Sequence, residues 1–272
     1  MFNSVKLSNE TFHKARDYIY SKCGIYIQDT KKYLVENRLQ KRLQEKNLRS
    51  FEDYLYLLQY DKNEQTQLFN LITTRETSFF REPLLLEAFY KVLLPQVSKS
   101  KAGKPINIWS AGCSTGEEPY TLAMYLLEYS GGRSNAKILG TDLSSDAIAS
   151  AKRAVYGDYS LRNATPEFLK KYFTKTAGGL TVSPTVKKLV QFKEMNLTDE
   201  RAMRGVRGMD FIFCRNTMIY FDNSVKQKVV SFYYDSLSPG GYLFVGASES
   251  LHSVSRAFKP MAINKAVVYK KG

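Results

Sequence analysis

Ile106–Tyr120 reads INIWSAGCSTGEEPY: an apolar run, a turn of small residues, then two acids opening a helix. A βα unit of this kind aims a strand's carboxyl end and the first free N–H groups of a helix at one small ligand. Outward from it the pattern alternates. Strands are expected at Ile106–Gly112 and Ala136–Leu143, with helices at Glu117–Tyr129 and Ser145–Val155. Further strands are expected at Leu189–Leu197, Met209–Cys214, Gly241–Gly246 and Ala266–Lys270, with helical stretches between them. Such alternation predicts an α/β fold whose parallel or mostly parallel sheet is covered by helices on both faces.

Residues 157–188 break the alternation. Gly157-Asp-Tyr, Thr165-Pro-Glu, Gly178-Gly179 and Ser183-Pro184 are turn signals, and short strands are expected at Leu180–Val182 and Val186–Val190. The expectation is a small antiparallel β-subdomain inserted at the sheet's rim. Before Ile106 the sequence is helical: Phe12, Ala15, Tyr18 and Ile19 recur at helical spacing, and Ser50-Phe-Glu-Asp53 has the form of a capping box. The expected domains are an all-helical 1–75, a linker and lead-in helix over 76–105, and a ligand-binding α/β domain over 106–272. Within the linker, TTRETSFFRE (Thr73–Glu82) precedes Pro83, which suits a helix's first position and sets Arg81 and Glu82 at the entrance, free to point into a cleft.

Composition narrows the function classes. Nothing approaches the roughly 18 consecutive apolar residues of a membrane span, and the N-terminus lacks a secretory pattern, so cytoplasm is the expectation. Cys23, Cys113 and Cys214 are odd in number and lack metal-ligand spacing, and only His13 and His252 could supply imidazole, so no metal is expected. The net charge of +14 is unevenly spread: residues 1–80, 81–150, 151–193 and 194–272 carry +3, 0, +7 and +4. A basic patch attracts nucleic acid, anionic membrane or acidic protein alike. One such edge lies on the helix expected over 31–46, where Lys31, Arg38 and Arg42 border the apolar stripe Val35, Leu39 and Leu43. It is either a solvated face or a docking edge for an acidic partner helix.

The chemistry-bearing residues converge on an adenosine ligand. Gly112 and Gly116 let backbone approach closely, and LGTDL ends in Asp142, a carboxylate placed to accept bonds from two ribose hydroxyls. A triphosphate-binding loop would need Lys-Ser or Lys-Thr after the second glycine, but Glu117-Glu118 follow Gly116. Two acids there repel phosphates and suit a cationic amino-acid moiety. S-adenosylmethionine (SAM) fits both features.

These motifs, with TDLSSDAIASAKRAVYGDYS from Thr141 and FIFCRNTMIYFD at Phe211–Asp222, resemble the chemotaxis receptor methyltransferases, the CheR family. The resemblance runs from about residue 8 to about residue 270. It implies a Rossmann-like SAM-dependent methyltransferase sheet behind an all-α N-terminal domain. It also implies an enzyme that methylates glutamate carboxylates on the cytoplasmic helices of chemoreceptors in sensory adaptation, leaving S-adenosylhomocysteine. By position, Thr77, Arg81, Gly112, Glu118, Asp142, Asn196, Leu197, Arg215 and Asn216 would bind the cofactor. Arg81 and Tyr220 would flank the reacting groups, and Arg75 stands where the family often has Asn. Lys31, Arg38 and Arg42 would dock the receptor, and a receptor C-terminal tail peptide would dock at the insertion. The expected state is a cytoplasmic monomer recruited to membrane receptor arrays, with no direct membrane insertion and no nucleic-acid partner. The alternatives are a SAM-dependent nucleic-acid methyltransferase, which usually has a Pro-Pro-Tyr-type wall where this chain has CRNTMIY, and a non-catalytic SAM sensor.

Overall fold

The computed structural model describes residues 5–272; residues 1–4, the start of the expected helical domain, lie outside the described residues. Four helices form the N-terminal unit: α1 (Asn9–Cys23), α2 (Lys32–Glu45), α3 (Phe51–Tyr60) and α4 (Lys62–Ile72). The starts of α1, α3 and α4 follow from side-chain caps. Ser8 accepts from the amide of Thr11, Ser50 from that of Asp53, and Asp61 from those of Asn63 and Glu64, each satisfying a first-turn N–H that has no helical partner. The apolar stripe of α2 is buried as its periodicity requires: Val35, Leu39 and Leu43 pack with Phe12, Ile19, Tyr54 and Leu58.

The strands are β1 (Asn107–Ala111), β2 (Lys137–Asp142), β3 (Val155–Tyr156), β4 (Phe173–Thr176), β5 (Gly179–Val182), β6 (Val190–Glu194), β7 (Met209–Cys214), β8 (Leu237–Val245), β9 (Phe258–Ile263) and β10 (Ala266–Lys271). Seven form one sheet in the order β6-β2-β1-β7-β8-β10-β9, parallel through β8 and antiparallel at β10 and β9. The chain runs outward from β1 to β2 and β6, then returns to β7 on β1's other side. That reversal opens a crevice at the carboxyl ends of β1 and β7, where open α/β sheets bind ligands.

The lead-in helix runs from Pro83 to Lys101, with a π-helical stretch at Ala88–Leu93. It lies on one sheet face, where the Phe89 ring meets Phe211, Phe213 and Phe244 edge-on. The helix expected at 117 spans Glu117–Tyr129.

Two expectations about strands are corrected. The insertion is a three-stranded sheet of order β3-β5-β4, antiparallel as expected. The expected strand Val186–Val190 is instead a helical turn, Pro184–Lys187, running into β6: Pro184 at the first helical position presets the turn. Also, β9 carries Pro260 and occupies an edge, where a residue without an N–H is tolerated. Its apolar alternation is too weak to read from sequence.

Candidate active site

A cleft at the carboxyl ends of β1, β2 and β7 brings together Thr77, Arg81, Gly112, Glu118 and Asp142 with Asn196, Leu197, Arg215, Asn216 and Tyr220. Its space is about 1120 Å³, open solvent at its mouth included. The helical unit supplies part of the wall through Cys23, Ile25, Ile72 and Thr74.

Backbone conformation shapes the cradle. Gly112 has φ 79°, and a Cβ there would run into the Thr217 side chain, so only glycine lets the turns after β1 and β7 approach this closely. Ser114 (φ 50°), Asn216 (φ 56°), Phe80 (φ 55°) and Glu82 (φ 56°) are all left-handed without being glycine. Such residues are uncommon, and their concentration around one cleft marks a site where surrounding bonds hold strained backbone in place.

Asp142 ends β2 with its carboxylate fixed by two amides: Ser114 N donates to Oδ2 (2.8 Å) and Ser144 N to Oδ1 (2.9 Å). Each oxygen keeps a lone pair for a ligand hydroxyl. Burial pushes its pKa up, against the pull of those amides and of Arg75.

Across the cleft, Arg215 is almost wholly buried and donates to Glu118 Oε2 (2.9 Å), Glu82 Oε2 (3.1 and 3.2 Å) and the Arg81 carbonyl (2.5 Å). Glu118 also accepts from Ser110 Oγ (2.6 Å). One guanidinium between two carboxylates leaves a net negative charge, which favours a cationic ligand moiety and disfavours phosphate.

The two acids read together in the sequence divide their work. Glu118 faces the cleft, whereas Glu117 is buried against Thr115 Oγ1 (2.7 Å) and Ser160 Oγ (2.9 Å), with its pKa raised by burial. Only one of them confronts a ligand.

The remaining positions are tied to neighbouring elements. Arg81 Nη1 donates to the Glu76 carbonyl (2.9 Å). Asn196 Nδ2 donates to the Lys22 carbonyl (2.7 Å), joining that wall to the end of α1. The Tyr220 carbonyl accepts from Tyr26 N (2.8 Å) beside an isolated bridge, Ile25 to Phe221. Arg75 lies at the rim and reaches Asp146 Oδ2 (3.2 Å), Ser144 Oγ (3.3 Å) and the Asn70 carbonyl (3.3 Å).

The description "CheR methyltransferase, SAM binding domain" matches residues 75–267, and "CheR methyltransferase, all-alpha domain" matches 10–73. The chain belongs to the CheR methyltransferase family. Chemotaxis protein methyltransferase 2 of Vibrio cholerae is 32% identical over 99% of this chain and 95% of its own length. Chemotaxis protein methyltransferase 1 of Pseudomonas aeruginosa is 32% identical over 97% and 98%. The chemotaxis protein methyltransferase of Escherichia coli is 35% identical over 95% and 90%.

As a CheR-family protein, this chain is a SAM-dependent methyltransferase of chemotaxis. The cleft suits that donor: a buried carboxylate for ribose, a net negative cage for cationic centres, and glycine where backbone must approach. Among the described residues no group of His, Cys, Asp and Glu is arranged to hold a metal, and no helix is long and apolar enough to cross a membrane. The three cysteines are buried and free. Burial holds the Cys113 and Cys214 thiols well above their ordinary range and Cys23 at about 12, so none is poised as a nucleophile.

Of the docking stripe, Lys31 is exposed. Arg38 is half-buried and donates to the Ile72 carbonyl (2.5 Å), and Arg42 grips Glu64, whose side chain is fully buried, at 2.5 and 2.7 Å. Arg42 is thus spent on the helical unit's interior. The sequence sets Glu82 at the entrance of the lead-in helix but does not name its partner Arg215, and it gives no sign of Glu249. Glu249 accepts amide bonds from Asn216 (2.7 Å), Gly246 (2.7 Å) and Ile219 (3.2 Å). Both partners lie far away in the chain, so no local spacing announces them.

Proposed function

We propose that this enzyme transfers the methyl group of SAM to glutamate side chains on the cytoplasmic helices of chemoreceptors, forming methyl esters. The observation carrying the reading is the cleft itself, which Asp142, Glu118 and Arg215 line together with Tyr220 and Arg81, while Glu82 pairs with Arg215. Asp142 holds the ribose hydroxyls; Thr77, Gly112, Asn196, Leu197 and Asn216 complete the cofactor's walls. SAM, once bound, supplies an electrophilic methyl carbon.

The acceptor needs no base. A glutamate carboxyl has a pKa near 4.3 in water, so at neutral pH it is already ionised. Its weakness is solvation, and the protein's contribution is to orient it and thin out its water. Arg81 draws the carboxylate in, and Tyr220 sets its line of approach; neither moves a proton.

Recognition of the receptor falls to cationic edges. Lys31, immediately before α2, and Arg38 on α2 meet glutamate-rich helices, with Arg42 backing them from its pair with Glu64. In the insertion, β4 lies at the edge of its sheet with Lys175 exposed, which suits strand addition by a receptor tail peptide. The enzyme works as a cytoplasmic monomer gathered at receptor arrays.

The test is incubation with methyl-labelled SAM and either receptor membranes or nucleic acid. Label on receptor that alkali releases as methanol is the expected result; base-stable label, or label on nucleic acid, overturns the reading. In the same assay Tyr220→Phe and Arg81→Ala should lower turnover more than SAM affinity.

A further inference from the structure

We propose that Glu249 is a positioning residue for methyl transfer: its carboxylate clamps the backbone of the Arg215–Tyr220 turn and thereby sets where the Tyr220 ring stands in the cleft. The inference rests on the reading above that Tyr220 faces the reacting groups.

Glu249 itself does not line the cleft. Its Oε2 accepts from the amides of Asn216 and Gly246, both at 2.7 Å, while Oε1 accepts from the amide of Ile219 at 3.2 Å. Met218–Tyr220 is a single 3-10 turn without a side-chain cap of its own, so its leading N–H groups need partners from elsewhere. Glu249 provides one for Ile219, and another for Asn216 just ahead of the turn, across 30 or more residues of chain. One of its two anchor points, Asn216, sits in the left-handed region at φ 56°, a conformation that persists only where neighbours over-determine it. The other, Ile219, immediately precedes Tyr220.

The clamp is mounted on a firm base. Glu249 N donates to the Gly246 carbonyl (2.8 Å), closing an elbow directly after β8, and Leu251, buried two residues on, donates from its amide to the Tyr269 hydroxyl (3.1 Å). A Cβ added at Gly246 would stand 2.7 Å from Glu249 Oε2 and 2.9–3.0 Å from Asn216, so glycine is what lets the elbow and the turn touch. Burial raises the Glu249 pKa while the surrounding amides pull against it; a protein that retains a carboxylate here does so for its acceptor capacity.

The geometry makes a specific demand on substitution. A glutamine can keep one oxygen at the Oε2 position and hold Asn216 and Gly246, but its amide nitrogen then faces the Ile219 N–H, donor against donor. The Asn216 end stays gripped and the Tyr220 end is released. Glu249→Gln should therefore lower kcat at least tenfold while leaving the SAM Kd within about threefold of wild type, and Glu249→Asp, which keeps the charge on a shorter stem, should fall between. A role confined to stability would instead lower the melting temperature and leave kcat per folded molecule unchanged.

In a Tyr220→Phe background the cost of Glu249→Gln should shrink, because both changes act on one ring. Undiminished kcat, a loss of SAM affinity matching the loss of kcat, or equal cost in both backgrounds would overturn the proposal. Should the glutamine variant not fold, or should the wild-type enzyme fail to methylate receptor, amide exchange in the wild type decides separately. Protection of the Ile219 and Asn216 amides supports the clamp. Exchange at the rate of open backbone overturns it, whatever the enzyme's substrate proves to be.

Discussion

The two arginine clusters of this molecule, Arg215 with Glu82 and Glu118 and Arg42 with Glu64 and Glu45, use the same chemistry for different ends. Arg215 faces the cleft between two acids, one of them on left-handed backbone, and its pairing leaves an excess of negative charge where a cationic ligand is to sit. Arg42 has Glu64 inside a helical bundle and Glu45 at its surface, and Lys46 Nζ (3.0 Å) and the Tyr54 hydroxyl (3.1 Å) complete the shell around Glu64. Burial pushes the Glu64 pKa up, yet the bonds from Arg42, Lys46 and Tyr54 outweigh it and leave it lowered. A buried charge pair is thus read by what its surplus faces: ligand space in one case, packed side chains in the other.

That contrast can be broken by substitution. Arg215→Ala should have the largest effect, because it leaves Glu82 and Glu118 facing each other with no cation between them; the loss is about 3–5 kcal/mol of stability, read by chemical denaturation, together with loss of SAM binding. Arg42→Ala should destabilise less, by about 1–3 kcal/mol, since Lys46 still reaches Glu64, and should leave SAM affinity near wild type. Equal losses of SAM affinity in the two variants would erase the distinction.

Cofactor affinity sharpens it further. Asp142→Ala should weaken SAM by about 1–3 kcal/mol, roughly tenfold or more, as measured by calorimetry. Because burial raises the Asp142 pKa from its ordinary value, affinity should fall as acidification protonates the carboxylate, at a pH above that of an unperturbed Asp. The Asp142→Ala variant should lack this step.

How far the site was legible follows from the range of the interactions. The strand, turn and helix of Ile106–Tyr120 are local, and the observed β1 and Glu117–Tyr129 follow the expected pattern closely. Asp142 was legible because a strand end and an acid coincide in five residues. Arg42 was read as a surface cation because its partner lies 22 residues away, on another helix. The pairing of Glu82 with Arg215 and the role of Glu249 are unreadable for the same reason, their contacts spanning 133 and 33 residues. Helical periodicity marks which face is buried, but not which charge on the adjacent stripe finds a buried partner.

The smallest expected effect belongs to Lys31, which is exposed and, in the proposed docking role, would act on encounter rather than chemistry. Lys31→Glu should raise the receptor KM a few-fold at low salt, with the difference shrinking as salt screens the edge.

On the proposed reading, the sheet side of the cleft serves the cofactor while Lys31 and Arg38 beside the helical wall serve the partner. The most direct test of that claim is one transfer assay, titrated along both substrates, comparing Asp142→Ala with Lys31→Glu. The expected result is a crossed pattern: Asp142→Ala raises the SAM requirement and spares the receptor KM, while Lys31→Glu does the reverse. If either variant shifts both parameters by the same factor, the two walls do not divide the work and the claim is contradicted.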